Sequence, residues 1–309
     1  MKILVTGTGG FVGPHLVREL EQHGYDVVRV DRDPTKSDYG IDLSRRDEVE
    51  FVLRQENPDV VVHLAGWSHV GQSWVNPTKV FEANVICTLH LYEVFAQLQK
   101  RNARFLFVSS ADVFGLVPAE QLPLTEKTPA KPESPYAVSK LAAEQALRLL
   151  SRRRGPAVLI ARPVNHIGPG QSPNFACPSF ARQVAEIEAG TRETLKHGNL
   201  QSRRDFIDVR DAVRAYRLIL EKGRDGDLFV VASGHSYLME GIVQDFFELA
   251  GLPASMELDP GLLRPLDMPE IRGSSDFLTE RTGWAPEIPL AETLRSILEE
   301  ARSFVRAEV

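Results

Sequence analysis

Cysteine is scarce: the 309 residues hold two, Cys87 and Cys177. Two thiols cannot build a disulfide framework, so a small disulfide-stapled fold is excluded and a reducing compartment is favoured. No uncharged apolar run approaches the roughly 20 residues that a membrane helix needs. The first strand-like run, Met1-Lys2-Ile3-Leu4-Val5, is broken by Gly7. It lacks the longer apolar stretch and small-residue cleavage site of a secretory signal. A cytoplasmic location with no membrane partner is therefore expected. A basic excess is also missing. Lys and Arg number 36 against 42 Asp and Glu, a net charge of −6. That argues against nucleic acid as a partner. It does not argue against a small anion, because a local cationic pocket needs no basic protein. Internal repeats, low-complexity tracts and flexible linkers are absent as well. What remains is 43% hydrophobic and 25% charged residues, an ordinary globular composition. The length suits one large domain or two small ones, at roughly 100–200 residues each.

The first half alternates short β-branched runs with longer amphipathic stretches. Strands are expected at residues 2–6, 26–30, 59–64, 104–108 and 157–161. Helices are expected at 11–23, 45–55, 77–100 and 134–151. The strands are apolar on both faces, which is the parallel-sheet pattern. Strand–helix–strand alternation at this spacing predicts an α/β fold with a doubly wound parallel sheet of Rossmann type. After Pro163 the pattern loosens into a smaller mixed α/β part. It holds expected helices at 179–189, 209–221, 239–251 and 290–307, with short strands near 193–197, 205–207 and 227–231. The expected division is 1–164 plus about 205–230 for a dinucleotide, and 165–204 plus 231–309 for a second ligand.

The first strand runs into Gly7-x-x-Gly10-x-x-Gly13, with Phe11 and Val12 opening the helix. Gly7 permits a tight turn, Gly10 lets backbone approach a pyrophosphate, and Gly13 lets helix and strand pack closely. The helix start then offers free N–H groups to the phosphates. The plain alternative is a glycine turn without a ligand. Asp31 ends the second strand, where a carboxylate can accept both ribose hydroxyls of NAD and repel a 2′-phosphate. Arg32 follows and could instead pair with that phosphate. NAD or NADP is expected, with NAD favoured by Asp31, which could otherwise be a turn carboxylate. Asp42 and Leu43 suit an adenine contact. Leu64, Ala65 and Gly66 are small enough for backbone to lie along the cofactor. His63 reads as a satisfied strand-end histidine, since its neighbours form no base–nucleophile pair. No His, Cys or Asp spacing suggests a metal.

Ser110 follows the fourth strand, at the edge where open α/β sheets bind ligands. Tyr136 and Lys140 are four apart on one helix and project from one face. An ammonium beside a phenol favours the phenolate and is expected to lower the tyrosine's pKa. Ser110, Tyr136 and Lys140 then suit carbonyl–alcohol interconversion coupled to hydride transfer. Tyr136 and Lys140 are also expected to face the cofactor. In isolation such a pair is surface decoration; the glycine turn and the serine give it meaning. Trp67, His69 and Trp74 follow the third main strand and suit either substrate contact or loop packing. Residues 116–132 suit either a closing loop or a passive insertion.

Taken together, Thr6-Gly7-x-x-Gly10-x-x-Gly13, His63-Leu64-Ala65-Gly66, Ser109-Ser110 and Tyr136-x-x-x-Lys140 resemble the extended short-chain dehydrogenase/reductases. Arg162-Pro163-x-Asn165-x-x-Gly168-Pro169, Arg204-Asp205-Phe206-x-Asp208-Val209 and Gly283-Trp284-x-Pro286 resemble the nucleotide-sugar branch. The stretches 165–175 and 198–206, with Arg264-Pro265, are most similar to GDP-4-dehydro-6-deoxy-mannose reductases. The resemblance implies a nucleotide-sugar substrate held by Ser110, Ala111, Asp112, Asn165, Asn199, Arg204 and Arg264. The two arginines would face its diphosphate; a surface ion pair is the alternative for each, and loop capping for Asn165. Related 4,6-dehydratases carry a glutamate two positions after the serine or threonine, often with an acid between. Here those positions are Asp112 and Ala111, which disfavours dehydration. A 4-epimerase with tightly bound NAD is the second expectation, and a silent NAD-binding protein a third. Fold analogy implies a homodimer through the helices around residues 81–95 and 136–150.

Overall fold

The computed structural model describes residues 1–153, 155–263 and 268–308. In chain order the strands begin β1 (Lys2–Thr6), β2 (Asp26–Asp31), β3 (Tyr39–Gly40), β4 (Val60–His63), β5 (Arg104–Val108) and β6 (Ala157–Pro163). They continue β7 (Asn165–Ile167), β8 (Leu195–His197), β9 (Arg203–Asp208), β10 (Leu228–Val231), β11 (Ser236–Leu238), β12 (Met256–Leu258) and β13 (Glu270–Ile271). The helices are α1 (Val12–Gln22), α2 (Arg46–Glu56), α3 (Val70–Ser73), α4 (Pro77–Phe81), α5 (Cys87–Gln97) and α6 (Pro135–Ser151), then α7 (Ala176–Glu188), α8 (Val209–Lys222), α9 (Met239–Ala250), α10 (Asp276–Thr282) and α11 (Leu290–Glu308).

Seven strands form one parallel sheet in the order β10-β6-β5-β4-β1-β2-β3. This is the doubly wound α/β architecture expected from the alternation. Successive residues of a strand point to opposite faces, and here both faces are covered. Ile3, Val5, Val60 and Val62 pack towards α1 and α8. Leu4, Val61, Phe105 and Phe107 pack towards α2, α5 and α6. That is why these strands are continuous apolar runs rather than alternating ones. The strand order reverses between β1 and β4. In open α/β sheets ligands bind beyond the carboxyl ends of the strands at such a switch point.

The second part is built on β11-β9-β13, with β7 also paired to β9, and on the pair β12-β8. A separate apolar cluster of Phe180, Val184, Phe246, Phe247, Leu294 and Leu298 joins α7, α9 and α11. Strand β10 and helix α8 lie with the large sheet, whereas β9 lies with the small one.

Two local expectations change. The single helix expected over 77–100 is α4 and α5 joined by a π-helical turn, Glu82–Ile86. Such a turn inserts a residue into the helical ladder, and here it carries the buried Asn84. Helix α7 starts at Ala176, earlier than the expected residue 179. The 116–132 stretch is pinned at its middle. Leu124 is buried, accepts from the Ser274 amide at 2.8 Å and donates to the Arg272 carbonyl at 2.7 Å. Among the described residues no helix is long and apolar enough to cross a membrane.

Candidate active site

The glycine turn sits at the carboxyl end of β1. Gly7 has φ +77°, and a Cβ there would stand 2.7 Å from the Ala65 nitrogen. A Cβ on Gly13 would stand 2.5 Å from the Gly7 oxygen and from the Thr8 Cα. Only glycine allows this close packing of turn, helix and β4. Gly10 differs, because its Cβ would meet only the Gly7 oxygen, at 3.4 Å. Its outer side is an open approach for a ligand. Helix α1 follows with no side-chain cap at Phe11 and no acidic residue in its first turn. A helix start with uncapped amides favours an anion, so these residues fit the pyrophosphate of a nicotinamide dinucleotide.

Asp31 stands beside this turn. Its carboxylate accepts from the Gly9 amide at 2.9 Å and the Asp33 amide at 3.1 Å. It therefore braces the turn, and each oxygen keeps a second lone pair for a hydroxyl. Arg32 is exposed next to it. Asp42 accepts from the Ser44 amide, which lowers its pKa, with Arg32 and Arg45 adding to that. Leu43 is buried. On the β4 side the Leu64 and Ala65 amides donate to the Thr6 carbonyl and hydroxyl. His63 is fully buried between Thr6, at 2.7 Å, and Thr88, at 2.9 Å. Burial pushes its pKa down to about 3, so it is neutral and structural.

Ser110 caps the turn after β5. Its Oγ accepts from the Asp112 amide and donates to the Asp112 carboxylate, both at 3.1 Å. Ala111 is buried behind it. Tyr136 and Lys140 are buried on α6, where Ser134 caps the helix by accepting from the Ala137 amide and Pro135 occupies the first turn. The Lys140 ammonium donates to the Val108 carbonyl at 2.9 Å and stands 4.9 Å above the centre of the Phe107 ring. Burial brings its pKa down to about 8, with Glu144 opposing.

The phenol departs from expectation. Burial raises the Tyr136 pKa, the Asp112 carboxylate adds to the rise, and Ser110 pulls the other way. The lowering expected from Lys140 does not occur: burial and Asp112, not the ammonium, set the phenol's shift, because desolvation disfavours the phenolate. Tyr136 is thus a protonated acid at neutral pH, the form that can give a proton to a carbonyl being reduced.

Sequence reasoning missed Asn84. Its Oδ1 accepts from the Trp67 amide at 2.7 Å, and its Nδ2 donates to the Trp67 carbonyl at 3.2 Å and the Ser139 hydroxyl at 2.9 Å. It ties the loop after β4 to α6. A Cβ on Gly66 would lie 2.6 Å from the Asn84 Oδ1 and 3.7 Å from the Lys140 Nζ. The one hint in sequence is a polar residue on the inward side of an apolar helix.

The residues read as sugar-nucleotide contacts are spread more widely. Asn165 is exposed where β7 begins. Asn199 accepts from the Gln201 amide at 2.9 Å and lines a cavity of about 490 Å³ with His197, Leu200, Gln201 and Glu240. Arg204 donates to the carbonyls of Arg203 and Met268. Arg264 lies outside the described residues. Asp205 is buried, accepts from the Ser233, Gly234 and Gly273 amides, and so braces the second part. Arg162 and Glu144 form a buried ion pair at 2.6 Å. Cys87 and Cys177 are buried thiols whose pKa burial raises, to about 11 and about 12. His69 caps α3, and its ring lies 6.1 Å from that of Phe175. Trp74 is exposed. Among the described residues no group of His, Cys, Asp and Glu could hold a metal.

Residues 4–297 match the family described as GDP-mannose 4,6 dehydratase. The chain belongs to that family. It lies in the extended short-chain dehydrogenase/reductase group that the motifs resemble. Within the family, the GDP-6-deoxy-D-mannose reductase of Pseudomonas aeruginosa is 35% identical over 99% of both chains. The solved structure of RMD from Pseudomonas aeruginosa complexed with NADPH superposes with a TM-score of 0.90. It is 34% identical and covers 98% of this chain and 99% of its own. A Thermus thermophilus UDP-glucose 4-epimerase complexed with NAD is 28% identical, with a TM-score of 0.87 over 98% of this chain and 99% of its own. The family thus spans reductases, epimerases and dehydratases on one scaffold that binds NAD(P).

Proposed function

We propose that this protein reduces the 4-keto group of a GDP-4-keto-6-deoxyhexose to a GDP-6-deoxyhexose such as GDP-rhamnose. The observation that carries this is the full-length similarity to GDP-6-deoxy-D-mannose reductase. A nicotinamide cofactor, when bound, would supply the hydride. Gly7, Gly10, Phe11, Val12 and Gly13 hold its pyrophosphate at the start of α1. Asp31, Arg32, Asp42 and Leu43 take the adenosine end, and Leu64, Ala65 and Gly66 line its path to Tyr136 and Lys140. Ser110 orients the sugar's 4-oxygen, and Tyr136 donates the proton that this oxygen takes up. Lys140, charged below about pH 8, supplies positive field where negative charge develops. Ala111, Asp112, Asn165, Asn199, Arg204 and Arg264 hold the rest of the substrate.

Asp112 supports reduction over dehydration. Elimination of water needs a further acid and base, and the family's dehydratases supply a glutamate there. Aspartate is one methylene shorter, and a misplacement of about 1 Å can cost a proton transfer ~100-fold. For the cofactor, Asp31 favours NADH, whereas Arg32 is the residue that would pair with the extra phosphate of NADPH. Two buried, unpaired cysteines fit the reducing cytoplasm. Exposed Phe81, Ile86, Val138 and Leu149 on α4, the π-helical turn and α6 support a homodimer through this face. The proposed division falls at about residue 164, with β9 kept in the sugar part while α8, β10 and Leu278 of α10 pack with the cofactor part.

The deciding assay gives purified protein GDP-, UDP- and dTDP-4-keto-6-deoxyhexoses with NADPH or NADH. Consumption of reduced cofactor only with the GDP sugar is the expected result. Tightly held NAD and interconversion of nucleotide sugars without added reductant would instead make the protein an epimerase. Turnover that does not depend on the Tyr136 hydroxyl would sink the assigned chemistry.

A further inference from the structure

Residues 168–171 lie between helices from different parts of the chain. From one side, His15 on α1 donates its Nε2–H to the Pro169 carbonyl at 2.9 Å. The Phe11 ring stacks on His166, with centres 6.0 Å apart and planes 27° apart. The His15 ring meets the same Phe11 edge-on at 5.9 Å. A Cβ on Gly168 would stand 2.7 Å from the Val209 Cγ1, so the loop is seated without room for a side chain. From the other side, Glu300 of α11 accepts the Gly170 amide at 2.8 and 3.0 Å. Helix α1, whose uncapped start is the proposed phosphate site, therefore also grips the loop that follows β7.

We propose that His15 is a positioning residue for the sugar nucleotide: its hydrogen bond to Pro169 fixes the 168–171 loop, which follows β7 and Asn165, on helix α1. This rests on the proposed placement of the substrate beside Asn165. Ser110, Tyr136 and Lys140 are held by β5 and α6 instead, so the bond acts on substrate affinity rather than on the chemical step. Loss of one neutral hydrogen bond changes an equilibrium by about three- to tenfold.

The test compares wild type with His15→Phe, which keeps a ring against Phe11 but has no donor, and His15→Gln, whose amide can replace the Nε2–H. His15→Phe is expected to raise the KM for the GDP-4-keto sugar about three- to tenfold. Its kcat and its KM for NADPH should stay within about twofold of wild type, and His15→Gln should restore the sugar KM. An unchanged sugar KM in His15→Phe overturns the proposal. So does an equal rise in both variants, or a parallel change of kcat and both KM values with a lowered melting temperature. If the wild type does not reduce the GDP sugar, the functional reading fails separately. Calorimetric Kd values for GDP, UDP and dTDP on the same three proteins then decide the role of His15, and binding of none of them sinks both readings.

Discussion

Replacing Asn84 by alanine tests whether the π-helical turn serves the site or only the fold. The asparagine makes three hydrogen bonds, two to the Trp67 main chain and one to Ser139. Ser139 keeps its bond to the Tyr136 carbonyl at 2.7 Å, so its loss is partial. The Trp67 amide and carbonyl lose their partner outright. An unsatisfied buried group costs about 1–3 kcal/mol, and Trp67 is only half-buried, which places each near the low end. The sum is about 2–3 kcal/mol. For a domain of 150–250 residues each kcal/mol moves the melting temperature by about 2–4 °C, so a fall of about 4–12 °C is expected. Activity should fall as well, because Asn84 sets the path of Gly66, which passes close to the Lys140 ammonium. Thermal melts followed by circular dichroism and steady-state kinetics on one preparation give both numbers. An unchanged melting temperature would refute the hydrogen-bond reasoning. A full fall in melting temperature with unchanged kcat would refute the link from the turn to the site.

Three further outcomes are expected. Tyr136→Phe should lower kcat by about 10²–10⁴, the usual worth of a general acid, while calorimetry shows the cofactor still bound. Lys140→Met should abolish turnover yet change the pH dependence of stability in a defined sense. The folded chain holds the Lys140 proton less tightly, at about 8 against 10.5 for the free side chain. The destabilisation is fully present below about pH 8 and is relieved as pH rises towards 10.5, so wild type should gain on the variant over that window in urea unfolding. Arg162→Met should cost about 3–5 kcal/mol, because it strands the buried Glu144 carboxylate, and the double variant with Glu144→Leu should recover much of that. A double variant no more stable than the single one would show that the pair is not the source of the loss.

Much of this protein is written locally in its chain. Two-sided apolar strands such as Val60–Val62, the glycine spacing after β1 and the Tyr136–Lys140 interval are each short-range patterns with one physical reading. They determined the doubly wound sheet, the glycine turn at its switch point and the candidate reacting trio. Other features depend on what distant segments bring. Whether the phenol is raised or lowered follows from burial and from Asp112, which sequence spacing cannot weigh against Lys140. The π-helical turn that aims Asn84 at Trp67 leaves the helical apolar pattern intact, so periodicity passes over it. The second part rests on strands of two to six residues, too short for a periodic signal, and its register comes from pairing with β9 and between β8 and β12. The grip of His15 on Pro169 joins residues 154 positions apart. The chain's local patterns thus fix the scaffold and which candidate chemical groups it carries. Only tertiary packing sets the protonation state of Tyr136 and the seating of residues 168–171, because both are sums over neighbours that the fold assembles.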